Sequence, residues 1–249
     1  MPFKTSLLAA LLALAAIGPA RAGATNEVSY ASLAGAPITF SELADGAILN
    51  GLLSSGGVVF GERFDGQELA VAKAPRPGAI AQDWFDDLSF GTPSAGLTLL
   101  AGVAGANLGT YDHGDADGMA LYGIGPQNSD GSDPSGFGAL SARFAAPVSA
   151  LGFQLRDTDG GAITLQLFRA DGSLIEAVDL SGRADGRYAF ARSGAQADIA
   201  GFSLTHRDTY YGVSLDNLVL ATAPVPEPAT ALLLLAGLYL VARTRRRPR

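Results

Sequence analysis

Short apolar stretches broken by Gly, Asp, Asn and Pro recur through the middle of the chain, and residues 23–223 contain no long segment with the 3.6-residue period of an amphipathic helix. This pattern is typical of strands joined by turns. Ten strands are predicted, at residues 37–40, 57–60, 96–103, 139–144, 151–156, 162–169, 173–180, 187–191, 199–205 and 213–220. The region 112–138 is predicted to be mainly surface loops, with a short strand near 119–122.

The alternation of apolar and polar residues indicates how these strands pair. Residues 163–167 alternate and are followed by Asp171-Gly172 and a second apolar run at 174–180. Asp-Gly suits a type I′ turn, which needs positive φ at both central positions, so a two-residue hairpin is predicted. Alternation also favours antiparallel strands with one buried face. We expect one all-β domain over residues 23–223, an antiparallel β-sandwich resembling a jelly roll.

The N-terminus has the order of a secretory signal peptide. Lys4 precedes an apolar run at residues 7–17, and the small-residue pattern Ala20-Arg21-Ala22 follows Pro19. This order predicts export, with cleavage after Ala22. The alternative is a short N-terminal membrane helix, for which the apolar run is too brief.

The C-terminus also has three distinct parts. Pro226 and Pro228 bracket Glu227, and both prolines disfavour helix there, so this stretch is expected to be extended and accessible. Residues 229–242 carry no charge and would form a helix of about 21 Å, which is marginal for a hydrocarbon core of about 30 Å. Five arginines follow this run; they can snorkel to the headgroups, and they place that end in the cytoplasm and the body outside.

The sequence Val225-Pro226-Glu227-Pro228, the Leu-rich run and the arginine cluster together resemble the PEP-CTERM sorting signal of exopolysaccharide-producing Gram-negative bacteria. The resemblance covers residues 224–249. It implies recognition by an exosortase, a transpeptidase-like membrane protease, with Pro226, Glu227 and Pro228 as the recognition element. It also implies a transient hold in the inner membrane before delivery to the cell surface or the extracellular matrix.

The body bears a weaker likeness to exported β-sandwich domains that often precede this tail. The segments that carry it are residues 38–43, 57–60, 151–153 and 215–218. Those domains resemble carbohydrate-binding jelly rolls. The likeness therefore implies a fold rather than an activity.

Charge narrows the range of partners. The chain has 17 basic and 24 acidic residues, and removing the seven basic residues at the two ends leaves 10 against 24, a net charge of −14. Such a body repels nucleic-acid phosphates, whose binding depends on Lys and Arg, so nucleic acid is not an expected partner. Because there is no cysteine, no disulfide or thiol chemistry is available, and stability must come from the core.

Candidate chemistry is sparse. His113 and His206 are the only histidines, and the metalloprotease, nucleophile-elbow and phosphate-loop motifs are absent. Two loops hold carboxylates spaced closely enough to converge on Ca²⁺, although neither matches an EF-hand. Their acids are Asp112, Asp115 and Asp117 in the first loop and Asp130 and Asp133 in the second. The alternative is a pair of solvated turns, in which Asp and Gly are ordinary residues.

A third acidic set offers a structural calcium site. Asp157 and Asp159 follow a predicted strand, and Asp216 lies in the last strand of the body, which can neighbour the first strand in a jelly roll. The alternative is that residues 157–161 form a plain turn and Asp216 bonds to nearby backbone. Trp84 beside carboxylates suggests a sugar platform, but a lone Trp is more often part of a core, and the Tyr210-Tyr211 pair is equally ambiguous.

These patterns favour a non-enzymatic exported protein with a structural or adhesive role that includes contact with glycans. The acidic body suits hydrated surroundings, or cation-bridged contact with anionic exopolysaccharide. The alternative is a secreted polysaccharide hydrolase, which would need two carboxylates facing each other across a cleft at roughly 5 to 10 Å. The sequence offers many carboxylates and no way to choose a pair.

Overall fold

Strands and turns make up nearly all of the regular structure in the computed structural model, which describes residues 25–73, 84–116, 118–125, 137–207 and 212–222. Within these ranges the strands are β1 (Thr25–Glu27), β2 (Ile48–Leu49), β3 (Leu53–Ser55), β4 (Val58–Gly61), β5 (Arg63–Phe64), β6 (Glu68–Lys73), β7 (Trp84–Phe90), β8 (Leu99–Leu100), β9 (Leu108–Asp112), β10 (Met119–Gly123), β11 (Leu140–Val148), β12 (Ala150–Arg156), β13 (Ala162–Phe168), β14 (Leu174–Asp179), β15 (Gly186–Arg192), β16 (Ile199–Arg207) and β17 (Ser214–Ala221). Two short 3-10 turns, Tyr30–Ser32 and Ser193–Ala195, accompany them. None of the helical segments described could cross a membrane.

Two antiparallel sheets form a sandwich. The seven-stranded sheet has the order β1-β15-β12-β17-β10-β9-β2, and the six-stranded sheet has the order β14-β13-β16-β11-β4-β3. The chain crosses from one sheet to the other between β11 and β12, at Ser149. The Ser149 hydroxyl donates to the Ala221 carbonyl at 3.0 Å, and the Arg192 amide donates to the Ser149 carbonyl at 2.8 Å. These bonds fix the crossing point to two strands of the seven-stranded sheet.

The main core lies between the facing sides of the two sheets. Alternate residues of each central strand point into it, as the two-residue period of a strand requires. Phe153 from β12 and Phe202 from β16 stack with ring centroids 6.5 Å apart, and Phe144 and Phe190 pack beside them. Burying aromatic and aliphatic side chains on this scale is the main source of stability for a chain without cysteine.

A third layer covers the outer side of the six-stranded sheet. It consists of the pairs β5-β8 and β6-β7. Phe64 and Leu97 of this layer pack on Phe168 and Ala200 of the sheet, and the Phe64 and Phe168 rings meet edge to face at 5.8 Å. The Leu88 amide of β7 donates to the Thr205 hydroxyl of β16 at 3.2 Å. The six-stranded sheet is therefore buried on both sides over part of its area.

The structure confirms the predicted class, an all-β antiparallel sandwich. Nine predicted strands and the short strand near 119–122 correspond to β4, β8 and β10 to β17. Two predictions are too long: residues 37–40 contribute only the single bridge from Ile38 to Leu218, and 96–103 shrinks to β8. The short strands β1, β2, β3 and β5, together with β6, β7 and β9, are not predicted. Their apolar runs are too short or too charged to stand out by periodicity.

The predicted β13-β14 hairpin is present, but its turn differs from the prediction. The Gly172 amide donates to the Arg169 carbonyl at 3.0 Å, and of the loop residues only Gly172 has positive φ, at 86°. The loop is therefore Ala170, Asp171 and Gly172, with glycine in the left-handed position and a bulge in the ladder. The reason is local: the Asp171 carboxylate accepts from the Ser173 amide at 2.9 Å and from its hydroxyl at 2.6 Å.

Replacing Gly172 by alanine should destabilise the chain more than the same change at Gly182. Both glycines have positive φ, so each alanine pays about 1–2 kcal/mol of left-handed strain. A Cβ at Gly172 would also overlap the Pro93 carbonyl, whereas a Cβ at Gly182 meets open space. We expect Gly172→Ala to lower the free energy of unfolding by at least about 1 kcal/mol more than Gly182→Ala, measured by denaturant titration. Equal losses would contradict this packing of the turn on the third layer.

Candidate functional site

The three carboxylates predicted to bind calcium have different surroundings. The Asp157 carboxylate accepts from the Ser214 hydroxyl at 2.8 Å, and Asp159 is exposed. Asp216 is completely buried and accepts from the amide of Asn217 at 2.5 Å and from its side chain at 2.9 Å. The bond from the Asn217 amide is the local backbone hydrogen bond expected if Asp216 is not a calcium ligand.

A guanidinium occupies the space beside these acids. Arg156 is only 6% exposed and forms a two-pronged pair with Asp115, with both N–O distances at 2.8 Å. Its Nε lies 4.0 Å from an Asp216 oxygen. Within the described ranges, no three His, Asp or Glu side chains gather as a metal ion would need. Calcium at Asp157, Asp159 and Asp216 stays a prediction.

A serine, a histidine and an aspartate meet at the same end of the seven-stranded sheet, but not as a catalytic triad. In a triad the serine and the carboxylate contact opposite nitrogens of the imidazole. Here the Ser214 hydroxyl and the Asp157 carboxylate both lie 3.4 Å from the same His113 atom, Nε2. The hydroxyl instead donates to Asp157. This geometry ties the serine to the acid rather than to a general base.

A second polar cluster lies between the six-stranded sheet and the third layer, and we call it the buried polar layer. Its members are Glu62, Gln67, Asp86, Ser141, Gln166, Ser203 and Thr205. The Ser141 and Ser203 hydroxyls are 2.7 Å apart, and the Ser203 hydroxyl donates to the Gln67 side-chain oxygen at 3.1 Å. The same oxygen accepts from the Phe64 amide at 2.9 Å. These bonds join the six-stranded sheet to the third layer.

Two carboxyl groups in the buried polar layer are electrostatically unusual. Glu62 and Asp86 are each 5% exposed. Burial raises the pKa of Glu62, although the paired Arg63 opposes the rise. Burial, together with the negative charge of Glu62, raises the pKa of Asp86 to about 7, against the opposing effects of Arg63 and of a hydrogen bond from the Ala139 amide. Catalytic acids often have a pKa that burial and a neighbouring carboxylate raise, as is the case for these two side chains.

The sequence pattern does not single out Glu62 or Asp86. Neither belongs to a motif, because they are 24 positions apart and come together only when β7 folds over the sheet. The sequence carries one weak sign that the Asp86 side chain is buried. Asp86 is two residues from Leu88, and strand alternation places residues with this spacing on the same side of a strand. In the structure both side chains are buried.

Several predicted residues lie outside the described part of the chain. They are Ala22, Asp117, Asp130, Asp133, Tyr210, Tyr211, Pro226, Glu227 and Pro228, together with the predicted signal peptide 1–22 and the segment 224–249. For Trp84 only the backbone, in β7, is described. Their predicted roles stay predictions.

Comparison with known proteins adds little to this description of the site. No protein-family model and no curated protein matches the chain. One solved structure with a partial likeness is a glycoside hydrolase family 43 arabinoxylan arabinofuranohydrolase from Bacillus subtilis in complex with cellotetraose, at 11% sequence identity and a TM-score of 0.22. The likeness covers 73% of this chain and 54% of that enzyme, so the chain spans about half of its length.

Replacing Asp86 by asparagine should change how stability depends on pH. Because its pKa is raised to about 7, folded Asp86 keeps its proton up to neutral pH, whereas the unfolded chain loses it near pH ~4. The folded state therefore binds more protons, and Asp86 makes stability fall as pH rises from about 4 through 7. An asparagine side chain at this position is neutral throughout, so we expect D86N to flatten this fall and to be more stable at pH ~8 by up to about 4 kcal/mol.

The measurement is denaturant unfolding of the wild type and D86N at about pH 5 and about pH 8, on either side of the raised pKa. The control is Asp65→Asn, since Asp65 is an exposed carboxylate next to the same layer. The Asp65→Asn variant should lose as much stability between the two pH values as the wild type does. An equal fall in stability between the two pH values in wild type and D86N would show that folding does not raise the pKa of Asp86.

Proposed function

We propose that the chain is an exported, non-enzymatic protein that an exosortase sorts to the cell surface or the extracellular matrix, where its sandwich domain contacts exopolysaccharide. The observation that carries this proposal is the order of three C-terminal segments: the Pro226-Glu227-Pro228 motif, an uncharged run and an arginine cluster. The N-terminal pattern ending at Ala22 supports export. In this scheme the inner membrane holds the protein only until the tail is removed.

The body supports a role in hydrated, polymer-rich surroundings. Its antiparallel sandwich is the general architecture of jelly-roll domains, and many such domains bind carbohydrate. Its 23 acidic and 10 basic residues, a net charge of −13 once Glu227 of the tail is set aside, favour solubility and disfavour close packing with other acidic chains. Contact with glycans would then depend on local sites rather than on the overall field. A jelly-roll type of sandwich is the finer fold that we propose.

A polysaccharide hydrolase is the second candidate, and the coupled acids Glu62 and Asp86 favour it. Glycosidases use two such carboxyl groups, one protonated near neutral pH. Both side chains are buried between the six-stranded sheet and the third layer. Since Asp86 belongs to β7 itself, a movement of β7 that admitted substrate would also move Asp86 relative to Glu62, which counts against this candidate. Release of reducing ends from exopolysaccharide by the wild type, abolished in E62Q and in D86N, would favour the hydrolase over our proposal.

Replacing Glu227 by glutamine should disturb sorting. The change keeps the size of the side chain and removes the charge from the proposed recognition element. In the native host we expect wild type to lose the tail segment 224–249 or most of it and to reach the surface or medium, and E227Q to stay full length in the inner membrane. Fractionation followed by intact-mass measurement of each fraction reports both effects.

The matched control is Glu68→Gln, the same substitution on the exposed surface of the body. It should be processed and delivered like wild type. If the wild type keeps an intact C-terminus and E227Q has the same distribution, the sorting proposal fails. Because the readout is mass and location, a change in folding alone would not imitate the expected result.

A further inference from the structure

Arg143 differs from the other arginines that the structure describes. In a domain with a large excess of carboxylates, each arginine is expected to find an acidic partner. Most do: Arg63 pairs with Glu62, Arg156 with Asp115, Arg169 and Arg192 with Asp198, and Arg183 with Glu27, while Arg187 donates to Gln154 and Arg207 has a polar or electrostatic contact. Arg143 is exposed, and no described residue pairs with it.

Arg143 also lies in a groove on the outer side of the six-stranded sheet. The groove has a volume of about 420 Å³, within the range of small-ligand sites. Apart from Arg143, its lining is apolar or glycine and includes Val59, Leu97, Pro147 and Ala170. Val59 of β4 lies directly opposite Arg143 of β11 in the ladder. A single guanidinium is thus set in an otherwise apolar surface.

One wall of the groove is built rigidly. Leu97 has φ of 51°, an uncommon conformation for leucine, and its amide donates to the Ser94 carbonyl at 3.0 Å. The Gly96 amide donates to the Ala170 carbonyl at 2.7 Å, which joins this wall to the β13-β14 turn. Leu97 packs over Gly201, where a Cβ would come within 3.0 Å of it. A wall fixed in this way loses little entropy when a ligand binds.

We propose that this groove binds one carboxylate-bearing sugar of an otherwise neutral exopolysaccharide, with Arg143 pairing to the carboxylate. Guanidinium binds carboxylate through two parallel, charge-assisted hydrogen bonds, and the apolar lining suits the C–H face of a pyranose ring. A densely anionic polymer is disfavoured, because the body is acidic and fields between exposed charges extend about 8 Å at physiological salt. This inference rests on the proposed contact with exopolysaccharide.

Binding of two matched disaccharides tests the inference. Cellobiouronic acid differs from cellobiose by a carboxylate in place of one hydroxymethyl group. Calorimetric titration of the full-length chain in mild detergent should show at least about tenfold tighter binding of the acid, the size of effect expected for a charge-assisted pair. Arg143→Gln should abolish that preference. Arg143→Lys should keep part of it, because an ammonium supplies the charge without the two-pronged geometry.

The control is Arg187→Gln, an exposed arginine on the other sheet, and it should behave like wild type. Since Arg143 is exposed, an unchanged melting temperature should accompany the loss of binding. A wild type without preference for the acid, or an undiminished preference in Arg143→Gln, overturns the inference. Retention of the Arg143→Gln variant on the host's exopolysaccharide at wild-type strength would overturn it while leaving the proposed function intact. Failure of wild type itself to bind that polymer would instead count against the proposed glycan contact.

Discussion

The polar patch around Ser141 and Ser203, on the outer side of the six-stranded sheet, is the constraint on which the docking of the third layer depends. Ser141 and Ser203 on this side could be left to water, but the third layer buries them, so each buried donor and acceptor then needs a partner. Gln67 supplies one by accepting from both the sheet and its own layer. These bonds fix the position of the third layer on the sheet. In that position the charge of Glu62 acts on Asp86, and Leu97 forms a wall of the Arg143 groove.

Long strands in the second half of the chain are predictable because each has six or more residues, enough for a regular alternation to be visible. β13 is an example: its inward residues Ile163, Leu165 and Leu167 are apolar over the full strand. The short strands of the first half owe their structure to what they pack against. β2 and β5 have two residues each, and β5 is held by its pairing with β8 and by Phe64 packing on Phe168. Such strands have no periodicity to detect.

The candidate sites are harder to predict for a different reason. Asp157 and Asp159 stand out in the sequence because closely spaced carboxylates match a simple ligand pattern, yet that pattern does not reveal that Arg156 lies beside Asp216, the third predicted ligand. Nothing in the sequence marks Arg143, because the feature that distinguishes it is that no described residue pairs with it. Pairing depends on the positions of all the other charges, and those positions follow from the fold.

The place of β17 in the seven-stranded sheet has a mechanical consequence. It is bonded on one side to β12 and on the other to β10, and it leads directly into the C-terminal segment. Tension applied at the C-terminal end of β17 would first load the ladder with β12, which begins at Ala221, and would reach the pairs with β10 only at the far end of the strand, at Leu215 and Ser214. A strand at the sheet edge would be held by one ladder, whereas β17 keeps the pairs with β10 as a second set of bonds behind the first.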